Sequence, residues 1–266
     1  MLSVKNLAVS LSGREIILPE TMSFEIGRGE IAALLGPNGS GKSTLLGALC
    51  GLVKKQGGGI LYDSIDVESL TARERAKIFA HVPQSERPTS DYTVLESVVM
   101  GRYPHLKSFD GYNRDDYEIA RESLRRVDLA GFEERIVTKL SGGEAARTVI
   151  ARALAQDSPV LLLDEPAAAL DPKHARIIMD LTKELAGEGR TILMAMHDIN
   201  LAISSSDRLI FIVGGSIADD MPSLRVTEDV LERVYGISWE IWSTGGDASK
   251  LVAIPGAVAQ AEDHSP

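Results

Sequence analysis

The chain has 266 residues, of which 44% are hydrophobic and 25% charged, and its formal net charge is −10. These proportions are those of a folded globular protein rather than a disordered or fibrous chain. The acidic balance argues against nucleic-acid binding, which needs clustered Lys and Arg side chains, so we expect no nucleic-acid partner. No apolar run reaches the ~18–20 residues that span a bilayer.

The N-terminal residues lack the basic and then apolar layout of a signal peptide. The single cysteine, Cys50, falls in an apolar helical segment, as expected for a core residue in a reducing compartment. We therefore expect the protein to lie in the cytoplasm.

The first part of the chain is rich in strand patterns. Apolar and polar residues alternate over 3–27, which predicts short antiparallel strands. The apolar run Ile31–Leu35 predicts a buried strand. The glycines at 57–59 predict a turn before a strand at 60–62, and Phe79–Val82 predicts another strand that ends at a proline.

Directly after the buried strand, the sequence fits the phosphate-binding pattern G-x-x-x-x-G-K-[ST], and a helical stripe of leucines follows. Glycines let the backbone curl so that its N–H groups point at phosphate oxygens. Lys42 would place a positive charge at the β- and γ-phosphates, and the Ser43 hydroxyl would coordinate Mg²⁺. A plain glycine-rich turn is the alternative, but the full pattern between a strand and a helix favours a nucleoside triphosphate site. The candidate residues are Gly36, Pro37, Asn38, Gly39, Ser40, Gly41, Lys42, Ser43 and Thr44.

From about residue 85, polar loops separate amphipathic helical patterns. The clearest pattern predicts one apolar helix face, formed by Tyr117, Ala120, Leu124 and Val127. After residue 157, continuous apolar runs at 160–163, 192–196 and 209–213 alternate with helical segments, which predicts a parallel sheet covered on both faces. The fold class is therefore α/β with a mostly helical insertion at about 86–156.

Two acidic residues follow an apolar run at the end of a predicted strand. Asp164 is placed to hold Mg²⁺ through water, and Glu165 to polarise the water that attacks the γ-phosphate. An ordinary Asp-Glu strand end is the alternative, which the neighbouring phosphate loop makes less favourable.

A helix start is predicted at 140–144, because Ser141 and Glu144 have the spacing of a capping box. Gly142 and Gly143 are poor helix formers, but they leave backbone N–H groups uncovered, so that an anion can approach. A simple capped helix start is the alternative.

Together these residues resemble the ATP-binding cassette (ABC) ATPase family over about residues 3–252. Residues 36–44 resemble the Walker A loop, 160–165 the Walker B strand with its catalytic glutamate, and 140–144 the signature motif. The resemblance implies ATP and Mg²⁺ as ligands. It also implies a P-loop NTPase (RecA-like) core with an N-terminal antiparallel β region and an inserted helical subdomain. One ABC ATPase domain would then cover 1–256, and we expect the tail 257–266 to be disordered.

The resemblance assigns roles to residues that the pattern alone leaves open. Gln84 matches the glutamine that senses Mg²⁺ and the membrane partner, and His197 matches the switch histidine at the γ-phosphate. Leu170 and Asp171 resemble the dimer-contact D-loop. Without the family, Gln84 is an ordinary turn residue and His197 equally a core histidine.

The resemblance also implies partners. Such domains form head-to-tail homodimers in which Ser141, Gly142 and Gly143 act on a nucleotide held by the other copy. They dock on integral-membrane permease subunits at the cytoplasmic face of the cell membrane, and the complete importer includes an extracytoplasmic substrate-binding protein.

Within the family, the stretch 98–105 and the segment 196–202 resemble ATPases of importers for iron-siderophores, haem and vitamin B12. A generic turn is the alternative reading of 101–104. Other functional classes stay open: a soluble iron–sulfur assembly ATPase, the ATPase of another metal or oxyanion importer, or an exporter subunit.

Three features depart from the family pattern. Leu11 stands where an adenine-stacking aromatic is usual, so the base would be held by weaker apolar contact. After Pro166, three alanines replace a stretch in which a hydroxyl residue is usual. The residues 144–146 replace a stretch that is usually more polar after the signature glycines. None of these changes removes a phosphate, metal or water ligand, so we expect ATPase activity.

Overall fold

A computed structural model describes residues 1–85, 90–107, 111–243 and 251–256. The strands are β1 (Leu2–Leu11), β2 (Arg14–Ile17), β3 (Phe24–Ile26), β4 (Ile31–Leu35), β5 (Gly57–Tyr62), β6 (Ile65–Asp66), β7 (Phe79–Val82), β8 (Val160–Asp164), β9 (Thr191–Ala195), β10 (Arg208–Val213), β11 (Ser216–Pro222), β12 (Trp239–Ser243) and β13 (Leu251–Pro255). The helices are α1 (Lys42–Leu49), α2 (Ala72–Ala76), α3 (Val94–Val99), α4 (Arg114–Arg126), α5 (Gly142–Ala155), α6 (Pro172–Gly187), α7 (Ile199–Ser205) and α8 (Glu228–Tyr235).

The central sheet has the strand order β11-β10-β4-β9-β8-β7. The five strands from β10 to β7 run parallel, and β11 pairs antiparallel with β10 at the edge. The predicted parallel sheet is thus confirmed, with one antiparallel edge strand added. Because parallel strands end at the same edge, the loops after β4, β7, β8 and β9 meet there.

Both faces of the central sheet are covered. In β4, Ile31, Ala33 and Leu35 belong to one hydrophobic cluster, whereas Ala32 and Leu34 belong to another on the opposite face. The residues of β8 and β9 divide between the two clusters in the same alternating way. Every residue of these three strands is buried, which explains their nearly continuous apolar sequence.

The N-terminal antiparallel strands are confirmed. β1 pairs with β2, β3 and β5, and β5 continues to β6. The buried side of β1, including Leu2 and Val4, packs with α1 on one face of the central sheet.

The turn predicted at 57–59 is wrong, because these glycines begin β5. Gly58 has φ +80°, and a Cβ there would lie 2.2 Å from the carbonyl oxygen of Asn6. The pairing of β1 with β5 shifts register between Lys5 and Ala8, at the same place. The glycine therefore serves an irregularity inside the sheet, where two backbones approach too closely for a side chain.

Helices α3, α4 and α5 lie between β7 and β8 and pack on one another. The predicted apolar face of α4 is confirmed, since Ala120, Leu124 and the following Val127 are fully buried, with Tyr117 packed against the same cluster. The boundaries 1–256 and 86–156 stay predictions, and the tail 257–266 lies outside the described residues.

After the central sheet, α8 and the two-stranded sheet of β12 and β13 complete the described chain. Val230, Leu231 and Val234 of α8 and Ala253 of β13 are buried in the cluster that holds α3 to α7. Within the described residues, the helices are too short or too polar to traverse a lipid bilayer.

Candidate active site

The phosphate loop runs from the end of β4 to the start of α1. Gly36, Gly39 and Gly41 have φ values of +142°, +77° and +106°, which residues with a Cβ rarely adopt. A Cβ on Gly36 would lie 2.0 Å from the carbonyl oxygen of Ile212 in β10. The strand–loop–helix context that the sequence predicts is confirmed. All three glycines are favoured by their backbone angles, and Gly36 is also required because there is no space for a side chain.

Lys42 begins α1 and is buried. Its Nζ donates hydrogen bonds to the carbonyl oxygens of Gly36, at 2.7 Å, and Pro37, at 3.1 Å. Burial lowers the pKa of Lys42, and the negative charges of Glu165 and Asp164 oppose that shift. The cation is therefore held across the loop and faces the two carboxylates.

Asp164 ends β8 and is 5% exposed. Burial raises the pKa of its carboxyl group, and a hydrogen bond with the Ser43 side chain acts in the opposite direction. Its Oδ1 is buried and has no hydrogen-bond partner. A buried oxygen without a hydrogen-bond partner destabilises the fold unless a ligand satisfies it. The site therefore offers a free carboxylate oxygen of Asp164 next to the hydroxyl group of Ser43.

These groups fit Mg²⁺, which takes oxygen ligands and is held in nucleotide sites by one or two carboxylates together with phosphates. The carboxylate of Asp164 and the hydroxyl of Ser43 offer such oxygens on the chain side. Among the described residues, no three His, Cys, Asp or Glu side chains come together as a metal site. A magnesium site here would thus depend on the nucleotide.

Glu165 follows directly and has φ +52°, an uncommon conformation for a residue with a side chain. Its backbone N–H donates to the carbonyl oxygen of Ala195 in β9 at 2.9 Å. Its side chain is only 11% exposed, and its Oε1 contacts Nε2 of His197. The strained backbone therefore aims the carboxylate at a histidine from the neighbouring strand end.

His197 is not a core residue, since its side chain is 44% exposed. It follows β9 and precedes Asp198, whose side chain caps α7 by accepting from the N–H of Leu201 at 2.9 Å. Gln84 is exposed and follows β7 by two residues. Both residues follow parallel strands and lie at the carboxyl edge of the sheet.

A cleft of about 700 Å³ gathers these groups, and we call it the loop cleft. It is lined by Arg14, Glu15, Ile16, Asn38, Gly39, Ser40, Gly41, Lys42, Ser43, Thr44, Gln84, Glu165, His197, Gly214 and Gly215. The structure thus brings Lys42, Gln84, Glu165 and His197 to one site. Asp164 does not line the cleft; it is buried next to Ser43.

Part of the loop cleft comes from residues that the sequence did not single out. The hairpin residues 14–16 and the glycines after β10 line it. Gly215 accepts a hydrogen bond from Leu18 at 3.0 Å and donates one to Ser40 at 3.2 Å, so it joins the hairpin to the phosphate loop. The Gly214-Gly215 pair directly after an apolar strand is the sequence pattern that could have indicated this part of the cleft.

Leu11 is 43% exposed at the end of β1 and is not among the residues that line the loop cleft. Ile16, on the next strand, is the apolar side chain that lines it. The role of Leu11 at the base therefore stays a prediction.

The helix start at Ser141 is confirmed. Its hydroxyl accepts from the N–H of Glu144, and the Glu144 carboxylate accepts from the Ser141 N–H at 2.7 Å, which completes the capping box. Ser141, Gly142 and Gly143 do not line the loop cleft. Gly142 instead lines a separate cavity of about 400 Å³, together with Gln84.

The segment Met100–His105 is a 3₁₀ helix rather than a generic turn. A Cβ on Gly101 would lie 2.2 Å from the carbonyl oxygen of Arg152, so the segment packs directly on the backbone of α5. Arg102 is buried, pairs with Asp116 at 3.1 Å, and donates to the carbonyl oxygen of Ala155 at 2.8 Å. This segment therefore ties α4 to the C-terminal end of α5.

A strand–loop–helix phosphate site at the carboxyl edge of a covered parallel sheet is the architecture of P-loop nucleoside triphosphatases, and the fold assigns the protein to that class. The sequence narrows the class. The pattern of the family described as "ABC transporter" matches residues 19–168. The chain belongs to this family, and it is an ATP-binding ATPase.

Curated relatives match over most of the chain. The petrobactin import ATP-binding protein of Bacillus anthracis is 40% identical over 226 residues, which cover 84% of this chain and 83% of the relative. The iron(3+)-hydroxamate import ATP-binding protein of Bacillus subtilis is 36% identical and covers 90% and 89%. The hemin import ATP-binding protein of Rhodococcus jostii is 36% identical and covers 90% and 81%. The predicted similarity to siderophore, haem and cobalamin import ATPases is confirmed.

Solved structures agree. A metal-chelate type ABC transporter in an inward-facing conformation matches with a TM-score of 0.82 and 27% identity, covering 96% of this chain and 97% of the other. The cassette MJ0796, solved as a dimer and in a post-hydrolysis state with ADP and phosphate, matches with a TM-score of 0.76 and 29% identity, covering 84% and 99%. The predicted P-loop fold is confirmed.

Proposed function

We propose that this protein is the ATP-hydrolysing, energy-coupling subunit of an importer for iron-siderophore, haem or cobalamin-type compounds. One observation carries the proposal. The groups proposed for ATP hydrolysis share the loop cleft, and the chain matches import ATP-binding proteins over 81% to 89% of their length.

In this proposal the phosphates of ATP lie against the N–H groups of residues 36–44 at the start of α1, and Lys42 neutralises their charge. Ser43, Gln84 and Asp164 would hold Mg²⁺. When bound, the metal supplies charge neutralisation on the phosphate oxygens.

Glu165 is the residue that orients and polarises the attacking water, and His197 binds the γ-phosphate. Their contact supports this assignment, because the histidine fixes the carboxylate that must face the reacting phosphorus. The approach of γ-phosphate between them would replace this contact with one that includes the substrate.

The second half of the proposed site comes from another copy of the chain. Ser141, Gly142 and Gly143 are available for this because they open α5 outside the loop cleft. We propose a head-to-tail homodimer in which each ATP lies between the loop cleft of one copy and the start of α5 of the other. The relative MJ0796, which was solved as a dimer, supports the dimeric state of this proposal.

The proposed homodimer docks on two integral-membrane permease subunits at the cytoplasmic face of the cell membrane. An extracytoplasmic substrate-binding protein would deliver the compound in the complete system. The permease would contact the region near Gln84 and the segment Met100–His105, because these residues connect the loop cleft with the helices between β7 and β8.

Purification from native membranes in a mild detergent tests the partner. We expect the full-length chain to retain a polytopic permease, identified by mass spectrometry. Only soluble partners, under conditions that preserve other transporters, would contradict the proposal and favour an ATPase of a soluble assembly system.

Reconstitution of the purified complex in liposomes tests the direction. In liposomes whose ATPase domains face outward, the outside corresponds to the cytoplasm. We expect external ATP to drive movement of the compound from the lumen to the outside, which is the import direction. ATP enclosed in the lumen should drive no such movement. Movement in the opposite direction would identify an exporter. The transported compound is identified by offering iron(3+)-hydroxamate, hemin and cobalamin separately, each with the co-purified binding protein, and comparing their rates of transport.

A further inference from the structure

The C-terminal sheet is attached to the helix that follows His197. The Asn200 side chain, in the first turn of α7, pairs with the backbone of Ala253 in β13. Its Nδ2 donates to the Ala253 carbonyl oxygen at 3.0 Å, and its Oδ1 accepts from the Ala253 N–H at 2.7 Å. One side-chain amide thus satisfies both backbone groups of a strand residue, as a neighbouring strand would do.

The strand held in this way is firmly placed. Ala253 is 1% exposed and belongs to the main hydrophobic cluster, and it pairs in register with Ile241 of β12. Asn200 itself lies three residues after His197. The start of α7 therefore has two fixed points, namely the Asp198 cap and the pairing of Asn200 with β13.

The same C-terminal elements reach the phosphate loop. Tyr235, the last residue of α8, packs its ring at 5.7 Å from the ring of Trp239 in β12. Burial raises the pKa of Tyr235 to about 12, and a hydrogen bond with the backbone of Gly36 acts in the opposite direction. Helix α8 and the C-terminal sheet thus contact both the segment after His197 and the first residue of the loop.

We infer that Asn200 is a positioning residue for ATP hydrolysis, because it anchors the start of α7 to β13 and thereby fixes the position of His197 at the loop cleft. This inference rests on the proposed role of His197 at the γ-phosphate. Asn200 does not line the loop cleft, so its effect is exerted through the placement of the histidine.

Replacing Asn200 with Ala removes both hydrogen bonds. We expect kcat for ATP hydrolysis by the full-length chain to fall about tenfold, since small misplacements of a catalytic group have effects of this size or larger. We expect KM for ATP to stay unchanged, because the loop still binds the phosphates. Asn200→Asp keeps the acceptor for the Ala253 N–H and should give an intermediate kcat.

The chain contains two tryptophans, Trp239 and Trp242, and both lie in β12. Tryptophan emission, excited selectively over that of the six tyrosines, therefore reports on the surroundings of the C-terminal sheet. We expect the emission of Asn200→Ala to shift relative to that of the unchanged protein, with Asn200→Asp between them. A fall in kcat without any shift in emission would overturn the inference, because the effect would not pass through β13.

Gln56→Ala is the matched control. The Gln56 amide pairs with the backbone of Ser10 in the same two-point manner, accepting at 2.5 Å and donating at 3.4 Å, and it lies outside the loop cleft. We expect its kcat and tryptophan emission to match those of the unchanged protein. An equal loss of kcat in this control would also contradict a specific role for Asn200.

His197→Ala separates this inference from the function on which it rests. If His197→Ala loses turnover and Asn200→Ala keeps it, the inference fails and the proposed site stands. If His197→Ala keeps full turnover, the proposed role of the histidine fails, and the inference fails with it.

Discussion

The loop cleft and the start of α5, which we propose as the two halves of one nucleotide site, differ in how much of that site a single copy of the chain assembles. In the loop cleft, Lys42, Glu165 and His197 come from three separate strand ends and already lie together. At the start of α5, Ser141 and Glu144 satisfy each other's backbone groups through the capping box, and this segment does not line the loop cleft; Gly142 instead shares a separate cavity with Gln84 and Glu165.

In the proposed homodimer, each copy contributes its loop cleft to one nucleotide site and its start of α5 to the other. The loop cleft is assembled by the sheet, because parallel strands deliver their carboxyl ends to one edge. The start of α5 is formed by a local capping box, which stabilises the helix but does not by itself enclose a nucleotide. Substitutions made separately in the loop cleft and at the start of α5 test whether the two halves form one site only between two copies of the chain.

The largest effect is expected from Glu165→Gln. We expect at least about a 100-fold loss of ATP turnover, because the carboxylate that polarises water is removed while its shape is kept. ATP binding should persist, and size-exclusion chromatography should show an ATP-trapped dimer. Glu188→Gln, at the far end of α6, is the control. Normal ATP turnover in Glu165→Gln would contradict the assignment of Glu165 as the catalytic carboxylate.

Complementation between two inactive variants comes next. Lys42→Ala damages the loop cleft, and Ser141→Arg damages the start of α5. We expect each to be inactive alone. A random equal mixture should recover about a quarter of normal turnover, because half of its dimers are mixed and each mixed dimer has one intact composite site. Steady-state ATPase assays measure this. No recovery, with mixed dimers shown to form, would argue against a shared site.

Arg102→Met tests whether α5 is held in place from its other end. Removing one partner of the buried pair with Asp116 should cost roughly 3 kcal/mol of stability. ATP binding at the loop cleft should persist at temperatures where the variant is folded, while dimer turnover falls. The matched control is Arg121→Met, whose exposed pair with Glu118 should contribute less than about 1 kcal/mol. Thermal unfolding that does not distinguish the two variants would contradict this anchoring role.

The smallest effect on stability is expected from Asp164→Asn. Burial raises the pKa of Asp164, so its charged form destabilises the fold at neutral pH. The neutral amide should stabilise the nucleotide-free protein by about 1 kcal/mol, or about 2–4 °C in Tm, while ATPase activity is lost.

The pH dependence of that gain provides a further test. Above the raised pKa the unchanged protein carries the buried charge, and below it Asp164 is protonated, so the gain should shrink as pH falls. Thermal unfolding of both proteins over a range of pH measures the difference. A gain that grows toward acid pH would show that burial of the charge is not the cause.

Much of the site could be predicted from sequence because its parts are local. The phosphate loop is one continuous run, and the carboxylates 164–165 directly follow an apolar strand. The same local reasoning was wrong at 57–59, where it predicted a turn. Gly58 is needed because another backbone passes 2.2 Å from where its Cβ would be, and no local pattern records that approach.

The sequence by itself determined the strand–loop–helix unit, the capping box at Ser141 and the buried strands, since these depend on spacing, backbone freedom and hydrophobic pattern. Only the tertiary structure decided that Glu165 contacts His197, that residues 14–16 and Gly215 line the loop cleft, and that Asn200 pairs with Ala253. These contacts join segments far apart in the chain. They arise because the sheet order places particular strand ends side by side, and that order depends on the packing of the whole molecule.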